Sequence, residues 1–188
     1  MLILLFDNGI RAATLSSHVL NSHNVSKLLI SFASITTQDR MASDFQTAFE
    51  VLRGSVTEGR AENVRYRQNE LYSLHLVLRE NAEPICEAIT KDYAGPTVKA
   101  ETEFFLAMDA VRISYERLDF DKSMAEEYFV KFGKDNRERR ASLGLVAIRP
   151  LKHNRFYSVI TPLVAALQAG NCVIVEVRYI PSIFEQSY

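Results

Sequence analysis

The chain has no tryptophan and only two cysteines, Cys86 and Cys172, among its 188 residues. Two cysteines far apart in sequence exclude a disulfide-stapled secreted fold and fit a reducing compartment. Metal-ligand spacing is missing too. His18, His23, His75 and His153 are scattered, without the carboxylate or cysteine neighbours that a metal site needs. No apolar run approaches the roughly eighteen residues needed to cross a bilayer. The apolar start MLILLF is short, ends at Asp7 and has no basic residue before it, a poor match to a secretory signal peptide. Surplus positive charge is absent as well. A net charge of −1 argues against a general affinity for nucleic acid or an anionic membrane surface. Nor does the chain contain Gly-x-Ser-x-Gly, Cys-x-x-Cys, Gly-x-Gly-x-x-Gly or His-Glu-x-x-His.

What is present is the composition of an ordinary globular protein, 47% hydrophobic and 24% charged, with length enough for one core. Residues 1–43 stand apart as an extension. They carry Ser16, Ser17, Ser22, Ser26, Ser31 and Ser34, with Arg11, Lys27 and Arg40 against Asp7 and Asp39. Three readings stay open for them: a mitochondrial transit peptide, a disordered extension, or a chain that starts at Met41. The compartment expected is cytoplasmic, with mitochondrial as the alternative.

From Asp44 the pattern is helical. Phe45, Ala48, Phe49 and Leu52 recur at helical spacing, with Ser43 or Asp44 as cap. Leu71, Leu74 and Leu78 form a second stripe between Asn63 and Arg79. Pro84 then interrupts, so that either Asn81 caps a new helix or a single helix bends. Ala94-Gly95-Pro96 is a stop. Lys99 to Leu118 predicts a long helix whose core stripe is Phe104, Met108, Val111, Tyr115 and Leu118. A weaker helix over Ser123 to Val130 and a charged connector, Lys131 to Arg140, follow.

Gly144 to Val175 organises the rest. Two apolar runs, Leu145–Ile148 and Cys172–Val175, flank a helical stretch from Phe156 to Ala169, in the order strand, loop, helix, strand. Leu163, Ala166, Leu167 and Gly170 belong to its sheet-facing side. Gly170 and Asn171, which both tolerate the left-handed conformation, end it. A sheet of only these strands leaves an edge unpaired. Cys172, opening a buried strand, reads as structural, because a reactive thiolate needs exposure and a positive neighbourhood.

Several stretches together resemble the N-terminal portion of the aldehyde dehydrogenase superfamily, nearest its class-3-like branch. They are Leu52-Arg53, Leu71 to Asn81, Ile85 to Ile89, Lys91-Asp92, Glu101 and Glu103, Gly144 to Ile148, and Pro162 to Val175 with its Ala-Gly-Asn before a strand. The resemblance covers about Phe45 to Val175. It implies an α/β fold: a helical N-terminal region followed by the first βαβ of a Rossmann-like NAD(P)-binding domain, with the sheet incomplete. Residues 44–175 would form that unit and 176–188 a divergent tail. It also implies NAD or NADP as cofactor and oxidation of an aldehyde to a carboxylic acid. In that chemistry a cysteine thiolate attacks the carbonyl, the adduct gives hydride to the nicotinamide, and a glutamate activates water.

Against the family pattern, Leu151, Lys152, His153, Asn154 and Arg155 fall on the loop that carries the oxyanion-binding asparagine. His153 takes the asparagine's position and Asn154 lies one residue beyond it. Glu176 stands where the family has a cofactor-binding lysine, a reversal of sign. The family's catalytic cysteine and glutamate have no counterpart in these 188 residues, so no catalytic, cofactor-binding or metal residue is assigned. The expectation is a truncated relative, inactive on its own. The alternative is a non-catalytic fragment whose partner is a full-length aldehyde dehydrogenase or a second copy of itself.

Overall fold

The computed structural model describes residues 2–6, 9–11, 38–93, 95–133, 141–151 and 153–177. Its elements are β1 (Leu2–Phe6), β2 (Gly9–Arg11), α1 (Gln38–Thr57), α2 (Val64–Glu80), α3 (Ala82–Tyr93), α4 (Thr97–Glu116), α5 (Phe120–Lys131), β3 (Leu145–Ile148), α6 (Arg155–Gln168) and β4 (Cys172–Val177).

Local chemistry places most of the boundaries. Asn63 caps α2, its Oδ1 accepting Arg65 N–H at 2.8 Å and Tyr66 N–H at 3.3 Å. Asn81 decides between one bent helix and two. Its amide and side chain both donate to Val77 O, closing α2, while its own carbonyl accepts Ile85 N–H at 3.1 Å, opening α3. Pro84 therefore sits in a first turn, where its missing N–H costs nothing. Asp119 Oδ1 accepts Lys122 N–H at 3.0 Å in the first turn of α5.

The sheet has four strands in the order β2-β1-β4-β3. β4 is central and parallel to both neighbours, with Leu2 opposite Val173 and Ile148 opposite Val175. β2 returns antiparallel on β1. Here the structure departs from the two-stranded expectation. The β4 edge expected to be bare is covered by β1, which comes from the stretch read as an extension; residues 12–37 of that stretch lie outside the described residues. The connector at 134–140 and the tail at 178–188 lie outside them too.

Strand alternation sends the two faces of β4 into different clusters. Val173 and Val175, both fully buried, join Ile148, Leu163, Val164, Leu71, Ala107 and Val111. Cys172 and Ile174 face the other way, onto Leu52 and Ala61, with Phe49, Val56 and Leu145 packed around them. Helix α1 thus covers one face of the sheet, and α6, backed by α2 to α4, covers the other. The expected inward residues of α6 (Leu163, Ala166, Leu167 and Gly170) are all buried.

α4 corrects the core stripe read from the sequence. Its buried positions are Ala100, Glu103, Ala107, Val111 and Ser114, whereas Phe104 and Met108 are half-buried and Tyr115 is exposed. The helix lies between α2–α3 and α6, and small residues on the crowded side let the helix axes approach. Val111 and Leu118 of the expected stripe are buried; counting only large apolar residues missed the buried small and polar positions Ala100, Glu103, Ala107 and Ser114.

Glu70, on α2, is 7% exposed and its Oε1 has no hydrogen-bond partner among the described residues. Burial pushes its carboxyl above the usual range. The folded state therefore holds this proton to higher pH than the unfolded chain does. The contribution is fully present below the unfolded value and is lost as pH rises through the folded one. Glu70→Gln is expected to raise stability at pH 7 by about 1 kcal/mol. The difference from wild type should vanish near pH 4. Urea denaturation of both proteins across that range measures it.

Candidate functional site

The parallel strands β3 and β4 end at the same edge, since Ile148 is level with Val175. Glu176 follows at once in β4, its backbone opposite Leu5. The loop leading into α6 leaves from this edge, so the topology brings residues 149–151, 153 and 154 and the backbone of Glu176 to one end of the sheet. In open α/β sheets, ligands bind in the crevice beyond the carboxyl ends of parallel strands.

Within the loop, His153 is exposed and its ring makes no hydrogen bond among the described residues. Asn154 is exposed and left-handed at φ 51°, and its side chain makes no cap hydrogen bond to α6. Lys152 and the side chain of Glu176 lie outside the described residues. Leu151 N–H donates to Ser158 Oγ at 3.1 Å, and that hydroxyl donates to Arg155 O at 2.9 Å, so the loop is tied back onto the first turn of α6.

Two residues without an expected role dominate the site. Arg155 N–H donates to Tyr93 Oη at 2.7 Å, and Tyr157 N–H donates to Glu103 Oε1 at 3.0 Å. Burial pushes the Tyr93 hydroxyl above its ordinary value, with its bond to the Arg155 amide pulling the other way. Lys99 lies over the Tyr93 ring at 4.9 Å, and Arg155 Nη1 approaches Asp92 at 3.4 Å. Phe104 stacks on Phe156 with centroids 5.9 Å apart. The sequence signal for Glu103 was available: a carboxylate one residue before the apolar stripe of α4, in phase with Ala100 and Ala107.

At the other end of α6 the junction is closed by Gly170 and Asn171. Gly170 N–H bonds Leu167 O and Asn171 N–H bonds Ala166 O, both at 3.0 Å, with Gly170 left-handed at φ 81°. Asn171 does not take the left-handed role open to it. Its buried side chain accepts Leu143 N–H at 2.7 Å and Gly144 N–H at 3.0 Å, joining the start of β3 to the end of α6. Arg67 Nη1 donates to Gln168 O at 2.6 Å beside it.

Neither cysteine is poised as a nucleophile. Cys172 is 1% exposed, and burial pushes its thiol up. Cys86 is half-buried on α3 and raised by burial and by Glu101. The cavity between the α1–α2 loop and the start of β3 encloses about 10 Å³, room for one water molecule. Among the described residues no group of histidine, cysteine and carboxylate side chains is arranged to hold a metal, and no helix is long and apolar enough to cross a membrane.

The described residues thus form an α/β fold: a sheet with a helix-linked parallel pair, β3 and β4, and a loop at the strands' carboxyl ends. The chain is similar to aldehyde dehydrogenase family 3 member B1 of Mus musculus, 27% identical over 140 residues, and to the proteins of the same name from Bos taurus and Rattus norvegicus, each 26% identical over 140 residues. The match covers 70% of this chain and 29% of each relative. No family model matches, and no solved structure matches at the same stringency.

Proposed function

We propose that this chain is the frame of an aldehyde dehydrogenase-like protein, its helical lead-in and the first βαβ of a Rossmann-like NAD(P)-binding domain, without the chemistry that frame ordinarily serves. The similarity to family 3 aldehyde dehydrogenases supports the frame. One observation carries the rest: both thiols are buried or half-buried and pushed up, and Cys172, the one on the sheet, faces the α1 side of the core. Thiolate addition to a carbonyl needs an exposed, low-pKa sulfur. Loop and strand support the same reading, because the His153 and Asn154 side chains make no hydrogen bond among the described residues and Glu176 stands where the family has a lysine.

NAD or NADP is the cofactor the relatives imply. The residues at the α6 N-terminus do not fit its pyrophosphate, because Tyr93 and Glu103 already take the amides of Arg155 and Tyr157.

A second reading, a non-catalytic partner of a full-length dehydrogenase or of a second copy, is favoured by Val98, Phe105 and Leu106 on α4, all strongly exposed. The purified 188-residue protein is expected to produce no NADH or NADPH from any aldehyde above a no-protein blank. Thiol-dependent turnover abolished by Cys172→Ala or Cys86→Ala would overturn the first reading. A monodisperse, unaccompanied 21.4 kDa species in light scattering would count against the second.

A further inference from the structure

Helix α6 is capped from elsewhere in the fold. Its own N-cap residue, Asn154, contributes no side-chain hydrogen bond. The outward-pointing amides of Arg155 and Tyr157 are met instead by Tyr93 from α3 and Glu103 from α4. Glu103 is 5% exposed, and its Oε2 is buried with no hydrogen-bond partner among the described residues. A buried carboxylate oxygen without a partner is costly in an apolar surround. It is tolerated where a positive field meets it, and the end of a 14-residue helix supplies one. The same combination, backbone amides with the helix dipole, seats external phosphates and carboxylates in other proteins.

We propose that Glu103 is an internal anion, seated at the N-terminus of α6 in the place of an external phosphate or carboxylate, and that it closes this helix end to the pyrophosphate of a dinucleotide. The site is built and already filled. Its filling residue comes from α4 and is fixed by the Phe104–Phe156 stack beside it, so it is part of the core rather than a movable lid.

Glu103→Ala empties the site while leaving the helix amides in place. Its melting temperature is expected to fall by about 5–10 °C. Sodium formate at about 100 mM should restore at least half of that loss by binding the folded state, and should move wild type by no more than about 1 °C. Sodium chloride at equal ionic strength should do neither. Glu103→Gln keeps an acceptor for Tyr157 N–H without the charge; it should lose about half as much and ignore formate. If Glu103→Ala folds only in formate, recovery of the helical circular dichroism signal is the same result. In amide NMR spectra of the wild type, Arg155, Phe156 and Tyr157 should not shift with inorganic pyrophosphate. A folded Glu103→Ala insensitive to formate, or a saturable pyrophosphate shift at those amides in wild type, overturns the proposal. If Glu103→Ala stays unfolded in formate as well, the pyrophosphate titration and Glu103→Gln decide it.

Discussion

Replacing Asn171 with alanine is expected to destabilise the protein by about 3 kcal/mol. The residue is 3% exposed and works in both directions. Its Oδ1 accepts the amides of Leu143 and Gly144, and its Nδ2 donates to Ala166 O at 3.2 Å. Alanine leaves two backbone donors at the entrance to β3 without their acceptor. Each such loss in a buried setting costs about 1–3 kcal/mol, less where water can reach. Leu143 is exposed, so its amide recovers part of the loss; Gly144 is half-buried against the α1–α2 loop, beside a cavity with room for one water molecule, and recovers less. For a chain of this size the change corresponds to a fall in melting temperature of about 6–12 °C. Hydrogen exchange offers a local reading, because Cys172 N–H donates to Gly144 O at 2.8 Å and should lose protection first. A loss below about 1 kcal/mol would mean that water replaces the side chain fully.

Asn171 also shows what kind of information a sequence carries. Ala-Gly-Asn before an apolar run was legible as a helix end, because helix stops are local and Gly170 does adopt the left-handed conformation. The bond from Asn171 back to Leu143 was not, since it spans 28 positions and depends on β3 and β4 being neighbours. The same division runs through the fold. The alternation that sends Val173 and Val175 to one cluster and Cys172 and Ile174 to the other follows from period two, but the strand that covers β4 comes from the opposite end of the chain. MLILLF was visible as an apolar run, and nothing local told it to pair with Cys172–Val177.

The candidate site divides in the same way. His153, Asn154 and Glu176 were picked out by comparison with a family pattern, which marks positions in order along the chain. Tyr93 and Glu103, which hold the first turn of α6, reach it across 62 and 54 residues. Their role is written in the packing of α3 and α4 on α6. The small residues Ala100 and Ala107 that permit that packing carry almost no hydrophobic signal of their own. A helical stripe scored by size misses the face on which a carboxylate must be buried.

Two glycine-to-alanine exchanges should have opposite signs, and Gly170 is the more sensitive by far. Gly170→Ala is expected to cost about 3 kcal/mol. At φ 81° an L side chain is strained wherever it points, by about 1–2 kcal/mol. Added to this, a Cβ here would lie 3.0 Å from Ala61 O, a backbone carbonyl in the loop between α1 and α2. A flexible side chain would move aside, but this carbonyl is held by the loop that joins helices on opposite faces of the sheet. Relief therefore requires shifting the end of α6, where Arg67 Nη1 already bonds Gln168 O at 2.6 Å and its Nη2 bonds Glu62 O at 3.1 Å. Gly54→Ala is the contrasting case. Gly54 lies within α1, is exposed, and an added Cβ meets nothing within 4 Å, so alanine should stabilise by about 0.5–1 kcal/mol through helix propensity and a less free unfolded chain. Urea titrations of the two variants with a common denaturant slope measure both signs at once. Equal and small effects at the two positions would place Ala61 farther from α6 than it is here. That would also loosen the junction through which the α1 face and the α6 face of β4 are held in register.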